Sequence, residues 1–147
     1  MLRSAAALVL LAASPALADG PLPETLALGQ RLYARNCASC HGANLEGQPD
    51  WKHRLASGRM PAPPQDVTGH TWHHSDQDLF SIVREGVAAV VGEGYESDMK
   101  AFGGVLSDDE IRATLAYIES TWPERQRAAQ HELTVKAAGT ATSQPAE

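Results

Sequence analysis

Apolar side chains recur at helical spacing in three stretches of the chain, and Gly and Pro break up the segments between them. In the first stretch, about Pro23 to Cys37, Leu26, Gly29, Leu32 and Tyr33 share one face. Pro23 suits the first helical position, where its missing N–H is not needed. The second runs from Ser75 to Glu85: Ser75 and Asp78 form a capping pair, Leu79, Ile82 and Val83 an apolar stripe, and Gly86 a stop. The third opens on Ser107-Asp108-Asp109-Glu110, a stronger capping box, and carries Ile111, Leu115 and Ile118 until Trp122-Pro123. The pattern predicts an all-α domain whose helices face one core.

The remaining segments read differently. From Gly42 to His74 turn formers dominate, among them Gly58, Pro61, Pro63, Pro64 and Gly69, with no usable period. A loop of that length is unusual inside a compact domain unless it wraps something. After Pro123 the residues become small and polar. Residues 124–147 are expected to be a tail, partly or wholly disordered, with a frayed helix through Glu124 to Val135 and a disordered end from Ala137.

At the other end, Met1 and Arg3 make a short positive region, Ala5 to Leu11 an apolar one, and Ala16-Leu17-Ala18 a cleavage signal. Residues 1–18 are therefore expected to be a signal peptide, and 19–123 one domain. The apolar run is too short for a membrane span, and no later segment approaches one.

An exported chain with two cysteines ordinarily pairs them, but here they stand in Cys37-Ala38-Ser39-Cys40-His41. Thiols three positions apart can each add to one vinyl group of the same porphyrin, while the adjacent histidine ligates the iron from below. The motif predicts one haem c, held covalently by two thioethers from Cys37 and Cys40, with His41 as the proximal metal ligand. A disulfide, a thioredoxin-type dithiol and a zinc site are the competing readings. The dithiol wants a neighbouring strand, and zinc wants a second cysteine pair.

Composition fits. The chain holds 12 Lys and Arg against 18 Asp and Glu, a net charge of −6, and loss of the leader with Arg3 makes it −7. Nucleic acid and anionic lipid are poor partners for such a surface. Its Phe, Trp and Tyr number 2, 3 and 3, which is thin for a core, and a buried porphyrin would supply the missing apolar bulk.

A histidine on one face leaves a sixth iron position, whose occupant separates electron transfer from ligand binding. Met99, in the Gly-rich run Asp98-Met99-Lys100-Ala101-Phe102-Gly103-Gly104 before the third helix, is the candidate. Met60, between Arg59 and Pro61, competes as packing for the same pocket, and His70, His73 and His74 as alternative ligands.

On these residues the chain resembles the class I c-type cytochromes of bacteria over roughly Leu22 to Trp122. Gly29 and Tyr33 stand eight and four residues before Cys37, where that family has a glycine and an aromatic. Tyr117 matches the aromatic of its C-terminal helix, and Met99 falls at its distal-ligand position. The resemblance implies the small cytochrome c fold, in which N- and C-terminal helices cross and long loops wrap one haem. It also implies that a carbonyl of the Gly58-Arg59-Met60-Pro61-Ala62-Pro63-Pro64 segment accepts the proximal histidine's Nδ1–H, without assigning which one. Lys100 departs from the proline common after the ligand methionine, which implies a looser distal loop.

The function expected is one-electron transfer by an exported, periplasmic protein that is not an enzyme. It would meet a redox donor and an acceptor through a transient interface, with Arg54, Arg59 or apolar contacts in place of a lysine ring. Two other classes remain open. One is a haem sensor with a labile Met99 bond; the other is a copper protein using Met60, His70, His73, His74 and Met99.

Overall fold

The computed structural model describes residues 20–141, and every regular element among them is helical. The leader, residues 1–18, and the end of the tail, residues 142–147, lie outside the described residues. The first helix, α1, spans Pro23–Asn36, and a single turn, α2, spans Ala38–His41. A long irregular segment then leads through a 3-10 turn, Thr71–His73, to α3, Asp76–Glu85. Val87–Val91 forms a short α4, Asp108–Ser120 forms α5, and Glu124–Ala141 forms α6.

The predicted helices begin where their caps lie. In α3, Ser75 Oγ accepts the Asp78 N–H while the Asp78 carboxylate accepts the Ser75 N–H. Ser107 and Glu110 repeat the arrangement on α5. Each such cap is worth about 1 kcal/mol against the orphan N–H groups of a first turn. Gly86, at φ 84°, ends α3 in a left-handed conformation that costs glycine little.

The crossing of α1 and α5 is the centre of the core. Gly29 is buried there, and a Cβ on it would run into the Ala113 carbonyl and stand 2.8 Å from Tyr117 Cβ, so only glycine lets the backbones close. One turn on, the rings of Tyr33 and Tyr117 pack at 5.7 Å and 54°. Tyr33 is 2 % and Ile111 0 % exposed. Leu32, Phe80, Leu106 and Ile111 cluster on one side of the crossing; Tyr33, Leu45, Leu79, Ile118 and Trp122 cluster on the other.

Two elements differ from the expectation. Val87–Val91 is helical where no helix was read from the sequence: its five residues are all apolar, so no polar face marked a helical period, and Gly86 and Gly92 bound it. Within the expected tail, Glu124–Ala141 is one helix, longer than the stretch to Val135 that was expected to be helical. Strong helix formers supply the propensity. Docking supplies the rest: Gln130, 2 % exposed, bonds Asp76 across the molecule at 2.5 Å. Among the described residues no helix is long and apolar enough to cross a membrane.

Candidate haem-binding site

Cys37 is the joint between α1 and α2. Its N–H donates to Tyr33 O at 2.8 Å, closing the first helix, and its carbonyl accepts the His41 N–H at 2.9 Å, opening the second. That single turn puts two side chains three positions apart on one face. Both cysteines are free thiols, Cys37 half-buried and Cys40 exposed. Burial, and secondarily the neighbouring Cys40, push the Cys37 thiol up to about 11. It stays protonated at neutral pH, the opposite of the activated thiolate that a thioredoxin-type dithiol requires.

His41 is 8 % exposed, and its Nδ1 lies 2.9 Å from Pro63 O. A carbonyl can only accept, so Nδ1 donates and Nε2 keeps its lone pair for a metal. Burial lowers the imidazole's pKa; the Pro63 bond works weakly the other way, and the ring stays neutral as a ligand must. The open question of which carbonyl serves is thereby answered.

Pro63 is held in place from three sides. Gln65 N donates to Leu45 O at 2.8 Å, Gln48 N to Ala62 O at 2.9 Å, and Trp122 Nε1 to Gln65 O at 2.8 Å. Gly47, at φ 69°, lies so close that a Cβ would stand 2.7 Å from the Pro63 carbonyl carbon. The Tyr33 hydroxyl donates to Gly42 O at 2.8 Å, and Gly47 N to His41 O at 2.8 Å, fixing the turn that follows the histidine. The long loop is therefore a cradle for His41, laced to the core at its own middle.

Met99 is half-buried in the loop between α4 and α5. Its backbone runs over Gly86, where a Cβ would stand 3.3 Å from Met99 O. Phe102 N and Gly103 N donate to Val83 O and Arg84 O, at 3.0 and 2.9 Å, and tie the loop's far end to α3. Arg59 bridges to this loop from beside Met60, with Nη1 2.5 Å from Asp98 Oδ1 and Nε 3.4 Å from Glu96 Oε2. The strands of chain carrying the two methionines are thus neighbours. Arg59, expected to face a partner, is engaged within the chain, and so is Arg54, which donates to Gly58 O at 2.7 Å and lies over the Tyr95 ring at 5.8 Å.

The rings of the histidine-rich segment pack on aromatic neighbours and on each other. His70 stacks on Trp51 at 5.5 Å and meets the His74 ring edge-on at 5.5 Å, while His73 lies exposed against Trp72. Among the described residues no group of three or more His, Cys, Asp or Glu side chains is arranged to hold a metal ion.

Haem fits the donor set that remains. Two free thiols share one turn, the adjacent imidazole has a bare Nε2, and Trp72 Nε1 is a buried N–H with no partner. A haem carboxylate is an acceptor suited to that last group. Sequence reasoning passed over Trp72. The signal was a large aromatic in an otherwise polar run.

The family model described as Cytochrome c matches residues 26–122. Cytochrome c6 of Tetradesmus obliquus is 36% identical over 63% of this chain and 86% of its own length, and cytochrome c-555 of Prosthecochloris aestuarii 31% over 63% and 84%. The cbb3-type cytochrome c oxidase subunit FixP of Azorhizobium caulinodans is 29% identical over 74% of this chain, which spans only 37% of that subunit. With the Cys37–His41 motif seated in an all-helical fold, these matches identify the chain as a member of the cytochrome c family, with one covalently attached haem c.

Proposed function

We propose that the protein is an exported, periplasmic one-electron carrier in which His41 and Met99 are the two axial ligands, and that it transforms no substrate. The observation that carries this reading is the His41–Pro63 bond, which orients a neutral imidazole with Nε2 presented. Support for Met99 comes from its half-buried place in a loop tied both to α3 and, through Arg59, to the Met60 segment. A haem held there would supply a reversible ferric–ferrous couple, and a thioether ligand from Met99 would raise its potential relative to a second histidine.

The chain's own residues do the rest. Cys37 and Cys40 anchor the group, His41 holds its proton on Nδ1, and the cradle around Pro63 keeps ligand geometry unchanged between redox states. Partners are a redox donor and an acceptor meeting an exposed edge through a small transient interface. The leader residues support export, and the oxidase-subunit relatives support a respiratory setting.

Replacement of Met99 is the test. In Met99→Ala the ferric spectrum is expected to turn high-spin, with the reduction potential falling and carbon monoxide binding readily. A low-spin spectrum unaltered by Met99→Ala but lost in Met60→Ala would move the ligand to Met60. Tight carbon monoxide binding by the unmodified protein would replace the carrier with a ligand sensor, a reading that the missing proline at Lys100 favours.

A further inference from the structure

The helix α6 begins beyond residue 122, where the family match ends, and nothing in electron transfer by the matched domain calls for it. Its docking is also unusual in kind. The helix has no apolar stripe, and its larger aliphatic residues, Leu133 and Val135, are 38% and 58% exposed. It is held by a polar contact instead. Gln130 Nε2 is aimed at three acceptors: Asp76 Oδ1 at 2.5 Å, Thr134 Oγ1 at 3.2 Å and His74 O at 3.4 Å. The Asp76 N–H in turn donates to Thr134 Oγ1 at 3.0 Å. A buried amide is tolerated only when its bonds are made, and the bond to a carboxylate is the strong one.

What the network grips is the segment bearing Trp72. Within residues 67–75 the backbone hydrogen bonds are local: Gly69 to Asp66, His73 to His70, and His74 to Thr71. Among the described residues, the hydrogen bonds carrying residues 70–76 to a distant part of the chain come from Gln130 and Thr134 on α6. Trp72 packs against the core cluster that Cys37 and Ala38 also touch, with its buried N–H unpartnered.

We infer that Gln130 is a positioning residue for the haem pocket: through His74 and Asp76 it holds the Thr71–His73 turn, and with it Trp72, in the place where the Trp72 N–H meets the haem. This rests on the haem reading above, since the group must lie beside Trp72.

The test uses matured full-length protein carrying Gln130→Met, which keeps length and bulk but cannot donate, with Trp72→Phe in parallel. Amide exchange across residues 71–76 is expected to accelerate on the order of tenfold or more, as the loss of one bond to a charged group implies. The reduction potential is expected to move in the same direction as in Trp72→Phe, by a smaller amount. If Gln130→Met lowers only the melting temperature while exchange and potential stay at their wild-type values, α6 is a stabilising appendage and the inference is overturned. If Trp72→Phe itself leaves the potential unchanged, the haem does not meet Trp72, and that failure is told apart from a failure of the grip. Should Gln130→Met not mature, Thr134→Val removes the acceptor of the Asp76 N–H more gently, with the same two readouts deciding.

Discussion

The two sides of the candidate site are built on different principles. Around His41 the chain is fixed by backbone: Pro63 O on the imidazole, Gly47 pressed against the prolines, and Gln48, Gln65 and Trp122 closing the cradle. Around Met99 a few backbone bonds to the end of α3 are supplemented by exposed ion pairs, Arg59 to Asp98 and Glu96 and Arg84 to Asp108. Backbone and proline contacts cannot be lost without moving the fold, whereas exposed ion pairs are screened by water and salt. One side is therefore a fixed anchor and the other a softer clasp, and perturbations of the two should separate stability from ligation.

The largest effect expected is on the anchor. Cys37→Ala with Cys40→Ala should leave little folded protein, because the core has few aromatics and loses its largest apolar component. Circular dichroism with a full helical signal and a cooperative melt in the haem-free double variant would contradict this. Next is Gly47→Ala. Its φ of 69° and its contact with Pro63 penalise any side chain. Left-handed strain and overpacking together should cost roughly 2–4 kcal/mol in denaturant unfolding. A variant as stable as wild type would mean that the cradle yields.

How far these parts could be read from residues alone follows the same division. Helices α1, α3 and α5 were legible because caps and apolar periods agree locally, and Cys37, Cys40 and His41 because their chemistry demands contiguity. The carbonyl for His41 was not legible: Ala62, Pro63 and Pro64 are equivalent by composition, and the choice is made by bonds from Gln48 and Gln65 to their partners. Arg59 looked like a surface cation until its carboxylate partners, some 40 residues on, were brought beside it. Helix α4 has no polar face to betray a period, and α6 docks through the side chains of Gln130 and Thr134, which leaves no stripe to find.

A pH effect of intermediate size is expected beside the anchor. Burial lowers the pKa of His70, helped by His74 and then His73. A folded-state value below the unfolded one means that the unfolded chain binds more protons as pH falls beneath the ordinary histidine value of about 6.5. The stability contributed by neutral His70 is thus complete above that value and lost as pH drops through the folded pKa. Melting temperatures of wild type and His70→Phe, which keeps a ring on Trp51, should converge on acidification. Parallel curves would assign the acid sensitivity elsewhere.

The smallest stability effect, and the most telling about the clasp, belongs to Arg59→Ala. Its guanidinium is raised further above its ordinary range chiefly by the bond to Asp98 and then by Glu96, yet all three groups face solvent, so little folding free energy is at stake. The melting temperature should stay close to wild type. Exchange of an added ligand such as imidazole at the ferric iron should nevertheless quicken, because Arg59 links the Met60 and Met99 segments. High salt should quicken exchange in the wild type toward the rate of Arg59→Ala while barely altering the variant, since screening acts only on a pair that is present. Equal salt dependence in both proteins would show that the loop is gated by its backbone bonds to Val83 and Arg84, and would make the distal side as rigid as the proximal one.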